Sequence, residues 1–492
     1  MSTHFRKMGA MIALIWCTLQ IFTVAEAQTV TAKMNDVRET EFVISGEFAA
    51  AERRNLSFQN SIAGNQDLAS RIKDVKLADA NGVAVNYSKL ADGEYLADRD
   101  FRKFAYTIDL TPRTESTAAA HISWIGSESG LLMMADLLPA MGQGIRGSFG
   151  LTLSDGWRSG GECSHEGGKI KCEFVDFANG VFPIGRDLRQ RRLLMKDGTT
   201  LLLAVQGEWL FTDNEATKIV TSIYDSNRES FDSSPASNLA VSIVRFPSPQ
   251  AAGTWQAETR GTNVTIVSAD MAFRTQSLQR LHEQLRHEIF HLWIPNGLSL
   301  TGNYDWFYEG FALYQSLRVG VEQNRITFND MLSTLSNASV IDRQNQGRPL
   351  TDDSARRWQG TNTEVYARGM MIAFAADVAI ISASKGKESI VDLLAELYRR
   401  HKKGSPPAEA NAAILSIMAE RKELGDLIEH SLKKGAAVDI ARIADGAGLH
   451  LTGSAGRERL TAIEKPNRSQ RRILEKLGYN SWKRTPKYQN AN

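Results

Sequence analysis

His287, Glu288 and His291 stand in the order His-Glu-x-x-His, and seventeen residues separate the second histidine from Glu309. Residues four apart share a helix face, so the two imidazoles can meet one cation while Glu288, one step round, reaches a water beside it. Two histidines and a carboxylate leave the fourth position of a tetrahedral zinc open, the arrangement of a hydrolytic site and not of a structural one. The His-Glu-x-x-His pattern alone arises by chance in about one or two of every hundred chains of this length. Here it coincides with a helical stripe and with a second glutamate at the head of the next helix.

The elements that must position these groups are legible around them. Leu278, Leu281, Leu285, Ile289 and Leu292 are spaced as the buried stripe of one helix. Pro295, Asn296 and Gly297 break it, so that a second helix, expected over Tyr304 to Val319, returns with Glu309 alongside the first. His282 and Glu283 repeat the start of the motif, but His282 lies five positions before His287 and diverges around the helix; we read it as a surface residue. Asp305 is a candidate to orient a ligand histidine.

Before that stretch, residues 29 to 212 read mainly as short strands, among them Glu41 to Gly46, Phe104 to Leu110, Gly147 to Leu153 and Leu201 to Val205. No cluster with metal-ligand spacing falls there, and His121 and His165 read as ordinary surface or core residues. A mixed α/β segment begins near Asp213 with a helix over Asn214 to Phe231, a strand over residues 239 to 246 and another over Asn263 to Val267. After Gly320 a polar stretch reads as loop with a helix near Asp330 to Leu335. Thr361 and Glu364 form a capping-box pair opening a long helix. Another helix runs from Ser389 to His401, with further helical sequence from Glu409. The expected organisation is multidomain α+β: a signal peptide over 1–27, a β-rich domain over 28–212, a mixed α/β zinc domain over 213–405, a helical region over 406–466, and a basic, partly disordered tail over 467–492.

Charge excludes little but is informative by its evenness. The 492 residues carry 58 Lys and Arg against 56 Asp and Glu with no long basic block, so nucleic acid is not an expected partner. Arg6 and Lys7, the apolar run Met8 to Val24 and the small-residue site Ala25-Glu26-Ala27 read as a cleavable secretory signal, which places the chain in the periplasm or outside the cell. No other stretch has the pattern of a membrane span. Removal of the signal takes Cys17 with it and leaves Cys163 and Cys172 as an even pair, joined by a turn with Gly167 and Gly168, so a disulfide is expected.

These residues resemble the gluzincin metallopeptidases, especially the secreted glycyl aminopeptidase family and, more distantly, the aminopeptidase N and leukotriene A4 hydrolase family. The resemblance covers roughly residues 213 to 432. It rests on the histidine motif, Trp293 two residues after it, the run WFYEGFALY around Glu309, and VYARG at Val365 to Gly369. It implies a thermolysin-like catalytic domain, Zn²⁺ as cofactor, a peptide or protein as substrate, and Tyr366 as the group that faces the substrate carbonyl. The Gly-x-Met-Glu-Asn strand that binds a free amine in such enzymes is missing, and Ala257, Glu258 and Thr259 are a loose stand-in. The loop from His291 to Glu309 is one residue shorter than in aminopeptidase N, and no PDZ domain follows.

Together the readings point to an exported zinc peptidase, an aminopeptidase by the resemblance. His287, His291 and Glu309 are the expected ligands, Glu288 the general base, Tyr366 the oxyanion donor and Glu258 the amine-binding carboxylate. The same residues leave two other classes open: a catalytically silent module on the same fold, and a zinc hydrolase of non-peptide bonds.

Overall fold

The computed structural model describes residues 28–479, apart from residues 36, 49–52, 116, 142–143, 167–168 and 455. The expected signal segment, the two glycines of the Cys163–Cys172 turn and the last thirteen residues of the expected tail lie outside the described residues.

The first part of the chain is β-rich because its strands alternate. In Lys103–Asp109 every second residue, Phe104, Tyr106 and Ile108, is buried, the signature of a strand with one face on a core. An eight-stranded sheet forms in the order Cys163–Glu166, Lys169–Phe174, Gly147–Thr152, Gln28–Met34, Glu41–Glu47, Lys103–Asp109, Ile72–Ala78 and Ala84–Val85. Its one parallel pairing joins Gln28–Met34 to Gly147–Thr152. Smaller sheets of three and four strands close over an aromatic core that includes Phe42, Phe58, Phe149 and Phe182. At the edge, Cys163 stands opposite Cys172 in an antiparallel pair, and the two are disulfide-bonded.

A five-stranded sheet follows, in the order Arg189–Leu194, Thr200–Val205, Asn238–Arg245, Asn263–Ser268 and Trp255–Arg260. The three central strands run parallel and the two edges antiparallel. The sequence reading starts this mixed unit near Asp213, but two of its strands lie before that point. The reason is visible in Arg189–Leu194, which is exposed along its whole length and so carries no apolar face to read.

One face of the sheet is covered by a helix over Asp213–Phe231, opened by a Thr212–Glu215 capping box, and by the helix that carries both histidines, Arg274–Phe290. On the other face Val244 and Val267 pack with Trp124, Leu131 and Met133 of the β-rich part. The sheet is thus a wall shared by two units, and its edge strand Trp255–Arg260 borders the space between them.

The remainder is mainly helical, with two small two-stranded sheets, so the anticipated α+β architecture is the one observed. Helix Asp305–Glu322 carries Glu309, and helix Asn362–Ala383 carries Tyr366. The latter is long and apolar enough to cross a membrane by composition, but most of it is buried in the core. The two helices cross at Gly310 and Gly369, where an added Cβ would meet main-chain atoms of the partner helix at 2.3 Å and 2.1 Å. This accounts for the glycine of the Tyr-Ala-Arg-Gly run. Its arginine, Arg368, is 2% exposed and bound to Asp353 at 2.5 Å and Asp342 at 3.4 Å, anchoring the helix from behind.

Three expectations need correction in this region. The polar stretch after Gly320 is largely helical, over Phe328–Gln344 and Leu350–Ala355, because Thr327 and Asp330 build a capping box and Met331, Leu332 and Leu335 are buried. Thr361 does not cap its helix; its hydroxyl donates to the Asp353 carbonyl at 2.6 Å. Within the expected tail, Arg468–Lys476 is a helix with Ile473 and Leu474 buried, capped by Asn467 and Gln470.

Candidate metal centre and cleft

His287 and His291 lie at the C-terminal end of their helix, 5% and 6% exposed, with ring planes at 90° and their Nε2 atoms 3.2 Å apart. Glu309 Oε2 completes the cluster at 3.0 Å from His287 Nε2 and 3.5 Å from His291 Nε2. One ligand atom from each of the three lies within 4.8 Å of the others. His291 Nδ1 is 3.0 Å from the Ile294 carbonyl. A carbonyl only accepts, so Nδ1 carries a proton and Nε2 is the nitrogen that faces Glu309; burial disfavours a charged ring, but Glu309 prevails and raises the His291 pKa above its ordinary value. Two imidazole nitrogens and a carboxylate oxygen turned toward one another in a buried space form a donor set that one cation can hold together. The residues therefore fit a zinc ion.

The carboxylate of Glu309 is held from behind by a residue the sequence reading missed. Arg357 places Nη1 2.7 Å from Glu309 Oε1 and 3.3 Å from Asp305 Oδ2, and its Nη2 donates to Tyr366 Oη at 2.7 Å. Burial pushes the Glu309 carboxyl up, but Arg357 and the two histidines outweigh it and keep the group well below the usual carboxylate range. Burial, reinforced by Glu309, pushes the Tyr366 phenol well above its ordinary value, so its proton is retained. The Tyr366 ring lies 6.0 Å from that of His287 and nearly parallel to it.

Asp305, a candidate from sequence to orient a ligand histidine, faces Arg357 instead, while His287 Nδ1 is buried with no hydrogen-bond partner among the described residues. His282, expected at the surface, is 1% exposed, with Nδ1 2.7 Å from Arg286 Nη1 and Nε2 3.0 Å from Gln323. Burial first, then the Arg286 charge, lowers its pKa to about 3.

Glu288, 4% exposed, accepts a hydrogen bond from Thr259 Oγ1 at 2.7 Å on Oε2, and the same hydroxyl is 2.9 Å from the Glu288 carbonyl. Thr259 reaches it because the edge strand alternates. Ala257 and Thr259 turn toward the histidine helix, whereas Gln256, Glu258 and Arg260 turn toward the helix Ala118–His121 of the β-rich part. Glu258 is paired with Arg260 Nε at 2.8 Å and lies 3.4 Å from His121 Nε2. Burial raises its pKa, but Arg260 and His121 prevail and hold it below its ordinary value. His121, read from sequence as an ordinary residue, thus stands beside the amine-binding candidate.

His287, His291, Thr259 and Arg357 line one cleft of about 950 Å³ between the two units, with Glu258, Glu288, Glu309 and Tyr366 on one side and Gln59, Leu138 and Met141 of the β-rich part on the other. Trp358, next to Arg357, spans it: its ring lies 5.7 Å from that of His121, and Gly64 sits against it.

No protein-family model matches the sequence, and no curated protein matches it either. The fold has clear structural neighbours among M1 zinc metallopeptidases. An aminopeptidase N family protein from Idiomarina loihiensis superposes with a TM-score of 0.73 at 14% identity, over 86% of this chain and 79% of that one. An M1 zinc metallopeptidase from Deinococcus radiodurans, solved as a variant bound to a Tyr-Ser-Ala substrate, gives 0.56 at 12% identity, over 84% and 94%. At these identities the likeness is one of fold.

Proposed function

We propose that this chain is an exported zinc-dependent peptidase that removes residues from the amino end of peptides. The observation that carries the reading is the convergence of two imidazoles and one carboxylate beside Glu288 and Tyr366 in one cleft. His287, His291 and Glu309 would hold the metal. Zinc there supplies a Lewis acid that makes water nucleophilic near neutral pH.

The protein's own groups account for the rest. Glu288, oriented by Thr259, takes the proton of the attacking water and passes it to the leaving amine. Tyr366, protonated and held by Arg357, donates to the carbonyl oxygen as negative charge builds on it. Glu258, on the edge strand, is the carboxylate for the substrate ammonium, and the extended peptide pairs along that edge. The motifs shared with glycyl aminopeptidases and aminopeptidase N support the same assignment. Export is supported by the N-terminal signal pattern and by the Cys163–Cys172 disulfide.

The test is elemental analysis of metal-replete protein with a cleavage profile on a mixed peptide library. About one zinc per chain, lost in His291→Ala, together with stepwise release of N-terminal residues, is the expected result. Absence of zinc would dismiss the site. Zinc without peptide cleavage would favour a hydrolase of other bonds.

A further inference from the structure

The guanidinium of Arg357 makes more specific contacts around the candidate metal centre than any one catalytic role requires. Glu309 presents Oε2 to both histidines, at 3.0 Å and 3.5 Å, and Oε1 to Arg357 Nη1 at 2.7 Å. The carboxylate is therefore divided, one oxygen for the cation and one for the arginine. The other prong of the same fork donates to Tyr366 Oη at 2.7 Å, and Nε donates to Asn362, the first residue of the tyrosine helix, at 3.0 Å. The planar group is flanked by two rings, with Trp358 and Tyr366 centroids 4.5 Å and 5.1 Å from its carbon. It is 9% exposed.

We propose that Arg357 is a positioning residue that fixes Glu309 and Tyr366 relative to each other through one rigid fork. The inference rests on the zinc peptidase reading. Two consequences follow from the geometry. First, Glu309 is limited to one oxygen for the metal and cannot rotate away when the site is empty, so the site is preorganised for binding. Second, a guanidinium N–H occupies a lone pair of the Tyr366 oxygen, which orients its O–H away from Arg357 and strengthens it as a donor. Lysine keeps the charge but has a single nitrogen on a flexible stem, so it cannot hold both partners in the spacing of the fork.

The experiment compares wild type with Arg357→Lys, both folded by circular dichroism and thermal unfolding. Zinc affinity is read by competition with a chromophoric chelator, and kcat and KM are read at saturating zinc. We expect zinc affinity to fall about 10- to 100-fold, and kcat to fall with little change in KM. In a Tyr366→Phe background the kcat effect of Arg357→Lys should largely vanish, because the fork then has no hydroxyl to orient. A folded Arg357→Lys with zinc affinity within twofold of wild type, or kcat effects that multiply fully with Tyr366→Phe, would overturn the proposal. If lysine disturbs folding, Arg357→Gln is measured for the tyrosine coupling alone, and full multiplication again overturns it. A wild-type chain that binds no zinc or cleaves no peptide fails at an earlier step and removes the peptidase reading itself.

Discussion

Thr259 Oγ1 lies 2.7 Å from Glu288 Oε2, so the strand that borders the cleft also holds the candidate general base. A neutral donor on a carboxylate is worth about 1.5–3 kcal/mol, part of it shared here with the Glu288 carbonyl. Thr259→Val should lower kcat about 5- to 50-fold while zinc content stays at wild type, and Thr259→Ser should recover most of the loss. Steady-state kinetics on one free-amine peptide decide it; unchanged kcat in Thr259→Val would mean that Glu288 is oriented by its helix alone.

Glu288→Gln should retain zinc and lose about two to four orders of magnitude in activity, since it removes a proton acceptor and no ligand. Thr259 can still donate to the amide oxygen, so the side chain stays in place. Elemental analysis beside single-turnover rates separates the two effects. Wild-type rates in this variant would assign the base elsewhere.

Glu258 is shared between Arg260 and the cleft, which sets the choice of variant. Glu258→Ala would strand a buried guanidinium and confound the measurement, so Glu258→Gln is the better probe. Cleavage of free-amine peptides should weaken by about two to three kcal/mol, roughly 30- to 150-fold in kcat/KM, the loss expected when a charged hydrogen-bonded pair loses one charge. N-acetylated peptides should be poor substrates in wild type. Efficient internal cleavage of a blocked peptide, indifferent to Glu258→Gln, would make the protein an endopeptidase.

The bond between Cys163 and Cys172 closes a loop with a sequence separation of 9. Chain-entropy arguments put such a closure at about 2.5 kcal/mol, acting at the edge of the eight-stranded sheet and far in sequence from the metal ligands. Reduction, or Cys163→Ser with Cys172→Ser, should lower the melting temperature yet leave zinc content intact. Mass spectrometry of exported protein should find no free thiol at either position.

How much of this was readable in advance depends on where the partners sit in the chain. The expected ligands lie on one helix end and the start of the next helix, so spacing alone groups His287, His291 and Glu309. Tyr366 is legible through the Tyr-Ala-Arg-Gly run, whose arginine and glycine have structural reasons of their own. Thr259, His121 and Arg357 come from three separate segments, and no local pattern joins them to the site. Arg357 stands in a polar stretch with no periodicity, and its role exists only once the chain has returned to Glu309. His282 reads from its spacing as a surface residue but is buried, because Gln323 at the end of the glutamate helix closes over it.

The crossing of Gly310 and Gly369 has a consequence for how error reaches the chemistry. Glu309 is next to one glycine and Tyr366 three residues before the other, so the spacing between the candidate metal ligand and the candidate oxyanion donor is dictated by two backbones in direct touch. A methyl group at either point would wedge the helices apart by on the order of 1 Å, a misplacement able to cost about a hundredfold in rate. Gly310→Ala or Gly369→Ala alters no reacting group and no charge, yet either would detune the cleft as surely as the loss of a ligand. The tolerance of this machine is machined into the two residues that have no side chain at all.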